Sequence, residues 1–239
     1  MSRTRRIALI VTVVLLSSSA LLLCRWQLRR LAERRSQNSV LLAARALPPL
    51  QLSGASDRPV PGRRLRAHGS FLPASELTLR GRVHDAAPGL EVATPFRVEG
   101  TDTILWVLRG FVTSPDAATI PEIPAPTPGE VTVEGLALPI PVTTDAGQPL
   151  IRGRDTTWRR LDLAVLQQRV APSFPVYLLL TGEAEGPGRM PSVLPPTLDD
   201  GPHLSYALQW FGIALAIAAF GVIALRRGGR GSAPPPAAP

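Results

Sequence analysis

Two transmembrane α-helices flanking a mainly-β (α+β) domain, a small antiparallel barrel or curled sheet, is the fold class this sequence predicts. Three observations predict it. Apolar runs lie near both ends, Ile7 to Cys24 and Ser205 to Leu225, neither carrying a charge. About 20 apolar residues suffice to cross a bilayer core. Arginines flank both runs, as expected where chain leaves lipid. Between the runs, short stretches alternate apolar and polar residues and end at Gly or Pro, the pattern of strands and turns.

Residues 1–6 form a basic tail with Arg3, Arg5 and Arg6. Residues 7–26 form the first span, near the minimum length. A cleavable signal peptide competes with this reading, because a charged start and an apolar core suit both. The cleavage site is poor, since three leucines follow Ser18-Ser19-Ala20. An uncut anchor is therefore expected. Trp26 is placed as an interface anchor, with the helix continuing outward and the arginines of residues 25–35 on its wet side.

Residues 27–203 are expected outside the cytoplasm. Pro48-Pro49 and residues 54–62 read as a connector. Strands are predicted over residues 64–71, 76–81, 90–98, 103–112, 130–136 and 174–181. Thr94-Pro95 implies an edge or a bulge in the third, because proline cannot donate to a ladder. The fourth is apolar enough to be central, and its Arg109-Gly110 break suggests a bulge or a close backbone approach. Arg109 needs a partner there, with an ion pair the default. Residues 115–128 carry repeated prolines and read as loop. Residues 158–170 read as a short helix, with Leu161, Val165 and Leu166 on one face. Residues 190–200 form a Pro-rich return.

Residues 204–225 form the second span and residues 226–239 a basic, Pro-rich tail, with residues 232–239 read as disordered. Two spans put both tails on one side, and their arginines place that side in the cytoplasm. His203, Tyr206 and Trp210 fall at i, i+3 and i+7 and share a helical face. That face is open to two readings. It is an aromatic belt at the headgroup level, or it is a ligand site where the face meets a second helix.

Composition narrows the function. The 239-residue chain has 26 basic and 18 acidic residues, a formal charge of +8, and every basic residue is arginine. Many of the arginines cluster beside the apolar runs, where they meet lipid phosphates, and no nucleic-acid-binding motif is visible. A nucleic-acid partner is therefore not expected. The single cysteine, Cys24, excludes an intramolecular disulfide and a C-x-x-C-H haem attachment. No G-x-S-x-G, H-E-x-x-H or P-loop occurs, so no enzyme activity is expected. His68 and His84 read as surface or satisfied side chains. Asp199-Asp200 could serve as acid and base, but reads better as solvated turn carboxylates.

The chain resembles the Surfeit-locus (Shy-like) family of cytochrome c oxidase assembly factors over nearly its whole length. The family pattern Leu-Gly-x-Trp-Gln-x-x-Arg is matched by Leu23-Cys24-Arg25-Trp26-Gln27-Leu28-Arg29-Arg30, with Cys24 in place of Gly. Gly69-Ser70-Phe71, Thr94-Pro95-Phe96 and Val107-Leu108-Arg109-Gly110-Phe111 match three further motifs, with Phe111 replacing Trp. The most specific match is His203-Leu204-Ser205-Tyr206-Ala207-Leu208-Gln209-Trp210-Phe211. Asn often precedes this His in the family, where Gly201-Pro202 stands here.

The resemblance implies an accessory membrane factor for haem-copper oxidase biogenesis, assisting haem a insertion or stabilising the nascent catalytic subunit. Its partners would be that subunit, the haem a synthesis machinery and membrane lipid, in a bacterial plasma membrane. It implies His203 as a candidate axial ligand of transiently held haem a. Trp26, Gln27, Tyr206 and Trp210 would surround it, and the propionates would lie toward the arginines near Arg25 and Arg29. Cys24 is a second candidate ligand. A membrane-anchored docking module without cofactor is the alternative.

Overall fold

A computed structural model describes residues 2–54, 57–142, 149–170, 172–181 and 190–230. The expected disordered tail lies outside the described residues. The chain forms two compact units, residues 1–40 with 198–239, and residues 41–197.

The first unit is a pair of helices. Helix α1 spans Arg3–Ala46 without a break. At 1.5 Å per residue its length is about 66 Å, twice a bilayer core. It therefore continues well beyond Trp26, as its sequence predicts. The second long helix, His203–Arg230, is called α3 in chain order. The two are antiparallel, because Gln27 meets His203 at one end and Val13 meets Gly221 at the other. Buried Ala20, Gln27 and Leu31 mark the α1 seam, with half-buried Val13, Ser17 and Cys24 on the same face. On α3 the buried positions are Ala207, Ala214 and Gly221, seven apart. Small side chains at that spacing let two backbones approach closely. A Cβ on Gly221 would stand 2.8 Å from both methyls of Val13. Both helices are long and apolar enough to cross a membrane, and their outward faces expose Leu15, Leu22, Leu208 and Phe220.

The second unit is a nine-stranded sheet that closes on itself. Its strands are β1 (Leu50–Leu52), β2 (Arg64–Phe71), β3 (Leu77–His84), β4 (Ala87–Val98), β5 (Ile104–Thr113), β6 (Glu130–Pro139), β7 (Leu150–Arg152), β8 (Asp155–Trp158) and β9 (Ser173–Leu180). The order is β1-β2-β6-β9-β5-β4-β3-β8-β7, with β2 also paired to β4. That last pairing closes β2, β6, β9, β5 and β4 into a five-stranded barrel. Strands β3, β8 and β7 continue outward from β4, and β1 lies on β2.

The expected small barrel is present and antiparallel at four of its five joints; the fifth differs, because β5 and β9 run parallel. A closed ring with an odd number of strands cannot be antiparallel at every joint. Outside the ring, β1–β2 and β3–β8 are parallel too. The barrel interior holds Leu65, Ala67, Phe96, Val98, Leu105, Val107, Val133, Ala137, Phe174, Val176 and Leu178. Alternation along β5 sends Ile104, Trp106 and Leu108 to a second cluster on the outer face. That strand is central, as predicted, and buried from Ile104 to Phe111.

Strand β4 serves two neighbours in turn. Residues 87–93 pair with β3, and residues 96–98 pair with β2. Thr94-Pro95 is neither an edge nor a bulge, contrary to expectation. It is the changeover between partners, where no ladder needs the missing N–H of proline. The Pro95 carbonyl still accepts from Leu72 N at 2.8 Å. Closure explains Gly69 as well, since a Cβ there would lie 2.0 Å from the Arg97 carbonyl oxygen.

The predicted break in β5 is a bulge. Val92 registers with Gly110 and Ala93 with Leu108, which leaves Arg109 as the extra residue. Its side chain, 5% exposed, is fully engaged. Nη2 donates to Glu76 Oε2 at 2.6 Å, Nε to Thr94 Oγ1 at 2.8 Å, and Nη1 to the Pro124 carbonyl at 3.0 Å. The ion pair expected of this arginine is present, and it also ties down the Pro-rich loop. Next to it, a Cβ on Gly110 would stand 2.6 Å from Met190 Cβ, where the Pro-rich return crosses β5.

The predicted helix over 158–170 is shorter, α2 at Leu163–Arg169. Asp162 caps it, accepting from Ala164 N at 3.0 Å. Residues 155–158 are drawn instead into β8, between β3 and β7. Strands β1 and β7 escape a sequence reading because three residues carry no readable period.

Two outcomes follow. Arg109→Met leaves Glu76 half-enclosed without its cation, and is expected to cost about 3–5 kcal/mol. The full chain in detergent should then melt well below wild type. Asp116 accepts from Thr119 N and Ala118 N at 2.8 and 3.0 Å, and pairs with Arg152. These bonds, the Thr119 amide foremost, hold its carboxyl well below the usual carboxylate range. Its stabilisation is therefore complete above the unfolded pKa, near 3.8, and is lost as pH falls toward the folded value. The melting difference between wild type and Asp116→Asn should be constant above about pH 5 and should shrink on acidification below about pH 4.

Candidate ligand site at the meeting of two helices

The site lies within the first unit. Gly201, at φ +67°, turns the chain, and α3 opens directly after Pro202. Tyr206 N bonds the Pro202 carbonyl at 3.1 Å, which leaves His203 in the first helical turn. The His203 ring is half-buried, and its Nδ1 lies 2.9 Å from Gln27 Oε1. An amide oxygen only accepts, so with Oε1 facing the ring this contact selects the neutral tautomer that donates from Nδ1 and leaves the lone pair on Nε2. Gln27 is only 9% exposed, so its amide is held by its surroundings.

The turn before His203 is bound to α1 as well. The Asp199 carbonyl accepts from Asn38 Nδ2 at 2.8 Å and from Arg34 Nε at 3.3 Å. Arg35 pairs with Asp200 at 2.9 Å, and Asp199 Oδ1 accepts from Gly201 N at 3.1 Å. Asp199 and Asp200 are turn carboxylates, as expected. Asn38 is a buried polar residue on a helix whose donor is used at this turn.

Above His203 is a cleft of about 270 Å³ lined by Arg30, Glu33, Arg34, Gln37, Asp199, Gly201 and His203. Gln27, Arg30 and Arg34 repeat on α1 the i, i+3, i+7 spacing that His203, Tyr206 and Trp210 have on α3. Because the helices are antiparallel, the two rows diverge from the Gln27–His203 joint. The arginine row leads away from the apolar runs, and the aromatic row leads into them. One charge in the arginine row is partly balanced, since Arg30 pairs with Glu33 at 2.8 Å.

Of the residues expected at the site, Gln27 and His203 are brought together. Tyr206 (46% exposed) and the half-buried Trp210 lie along the His203 face. Trp26, 53% exposed, does not line the cleft. Arg25 and Arg29 do not line it either; Arg30 and Arg34 stand where those two were expected. The repeat from Gln27 is the signal that would have found them. Cys24 is a free, half-buried thiol in the helix seam.

The other histidines lie on the sheet. His68 Nδ1 is 3.1 Å from Thr132 Oγ1, and His84 packs on Phe111 with ring centroids 5.5 Å apart. Among the described residues, no group of three or more His, Cys, Asp or Glu side chains is placed to hold a metal ion. A metal at His203 would therefore have to arrive with most of its own ligands, as iron does in haem.

The SURF1 family model matches residues 14–215. An uncharacterized SURF1-like protein of Mycobacterium bovis is 30% identical over 237 residues, covering 90% of this chain and 83% of its own length. A SURF1-like protein of Rickettsia felis is 25% identical, covering 92% of this chain and 96% of itself. One from Monosiga brevicollis is 30% identical over 62% of this chain and 58% of its own length.

The bond at His203 has a spectroscopic consequence. Nitrogen shifts of the labelled imidazole should report a single Nδ1-protonated tautomer in the wild type. In Gln27→Leu that preference should be lost.

Proposed function

Since the chain belongs to the SURF1 family, known for cytochrome oxidase assembly, we propose that it is an accessory membrane factor in the biogenesis of a haem-copper oxidase. It acts without catalysing a reaction, and haem a is its cargo. The observation that carries this reading is the Gln27–His203 bond. Histidines that bind metals commonly donate their second ring N–H to a fixed acceptor, which orients the ring and raises the basicity of the free nitrogen. Gln27 does this for His203, leaving Nε2 as an imidazole ligand.

Haem would supply an iron able to accept that ligand, an apolar macrocycle and two carboxylates. The residues present suit such a molecule. Tyr206 and Trp210 offer an aromatic face below the imidazole, and Arg30 and Arg34 offer cations above it. The 270 Å³ cleft is smaller than pockets that enclose a ligand. A large ligand is thus held against the helices and stays open to a receiving protein, which suits transfer better than storage.

Both termini are placed in the cytoplasm and the sheet unit outside it, in a bacterial plasma membrane. The arginines at the two outer flanks favour this orientation, and long segments cross largely regardless of charge. The catalytic subunit of the oxidase is the proposed recipient, and the haem a synthesis machinery the proposed source.

The test is an absorption spectrum of the full chain purified after co-expression with haem a synthesis. Wild type should carry haem, and His203→Ala should lose it. Gln27→Leu should bind about 10–100-fold more weakly. Haem content indifferent to His203→Ala would end the cargo reading. Co-purification with oxidase subunits in that case would leave the docking module instead.

A further inference from the structure

We propose that Arg25 and Arg29 form a clamp for the phosphate of an anionic phospholipid, on the side of α1 turned away from α3. Five arginines lie within residues 25–35, and three of them are used inside the helical unit. Arg30 pairs with Glu33 at 2.8 Å, Arg35 pairs with Asp200 at 2.9 Å, and Arg34 Nε donates to the Asp199 carbonyl. Among the described residues, no hydrogen bond or ion pair engages Arg25 or Arg29. They stand at i and i+4, one above the other, with Cβ atoms about 6 Å apart. Two guanidinium groups at that spacing can share one phosphate.

Their placement selects a lipid as the source of that phosphate. The seam facing α3 is marked by Cys24, Gln27 and Leu31, and residues 25 and 29 fall on the opposite face at 100° per residue. The same face carries Leu15 and Leu22, 62% and 67% exposed, and the exposed Trp26. From Leu15 upward the stripe therefore runs from apolar to cationic, with the indole of Trp26 between the two arginines. An acyl chain lies along the leucines, and the headgroup phosphate meets the two arginines at the interfacial level where the indole of Trp26 also sits. A soluble anion would have no use for the exposed leucines of that stripe.

The clamp is separate from the haem cleft, because neither arginine lines it. It rests on α1 being a membrane span, not on the cargo reading. It also gives a role to cations at the end of the first span, which the positive-inside rule would leave on the wrong side of the membrane.

Native mass spectrometry of the full chain in detergent tests it, with equimolar dioleoyl-phosphatidylglycerol and dioleoyl-phosphatidylcholine as probes. Wild type should retain phosphatidylglycerol on the order of tenfold over phosphatidylcholine. Arg25→Gln/Arg29→Gln should bring the two lipids level, and Arg30→Gln/Arg35→Gln should keep the wild-type preference. The clamp is overturned if the first double variant keeps the preference, or if the second loses it equally. Release of the chain from membranes by alkaline carbonate would overturn it at its premise, whatever the haem spectra show.

Discussion

Inside a bilayer, two apolar helices gain nothing from the hydrophobic effect by touching, because lipid is as apolar as leucine. What holds α1 to α3 must be close packing and the few polar groups that meet. Ala207, Ala214 and Gly221 supply the first on α3, with Val13 fitted against Gly221. Gln27 and His203 supply the second. The packing sets the distance between the backbones, and that distance decides whether a glutamine side chain reaches an imidazole. A bulkier seam would push the helices apart and leave both side chains at the membrane surface without each other.

The turn that delivers His203 is held with similar economy. Asn38, Arg34 and Arg35 all bind residues 199–200 from the part of α1 that continues past the apolar run. That extension has a physical purpose beyond linking the helix to the sheet. A helix ending at Trp26 would leave the Asp199 carbonyl and the Asp200 carboxylate to water, and the height of His203 along α1 would be free to slide.

The sheet unit solves a different problem, the unpaired edge. It closes five strands into a ring by letting β4 change partner at Thr94-Pro95. The residues around that changeover are those with no apolar explanation. Gly69 makes room for the Arg97 carbonyl. Arg109 bulges from β5 toward Thr94 and Glu76. These residues of the sheet unit are thus the hardware of closure, and they say nothing direct about ligand chemistry. The ligand reading comes from the helices alone.

Much of the fold was legible because the signals were long. Both apolar runs, the alternation of β2 and β6, and the uninterrupted apolar character of β5 can be read from one line of text. So can the need of Arg109 for a partner, since a charge in an apolar strand has few alternatives. The face formed by His203, Tyr206 and Trp210 follows from helical geometry, and so does its amphipathic character. By itself, then, the sequence determined which stretches are helices and strands, which faces are greasy, and which polar residues would need company. It could not say who that company is. Gln27 and His203 are 176 positions apart, and the parallel joint between β5 and β9 depends on how many strands the ring contains. Pairings over such separations depend on the relative register of two elements. Register is set by the fit of whole surfaces, which no single residue carries, and only the folded chain decides it.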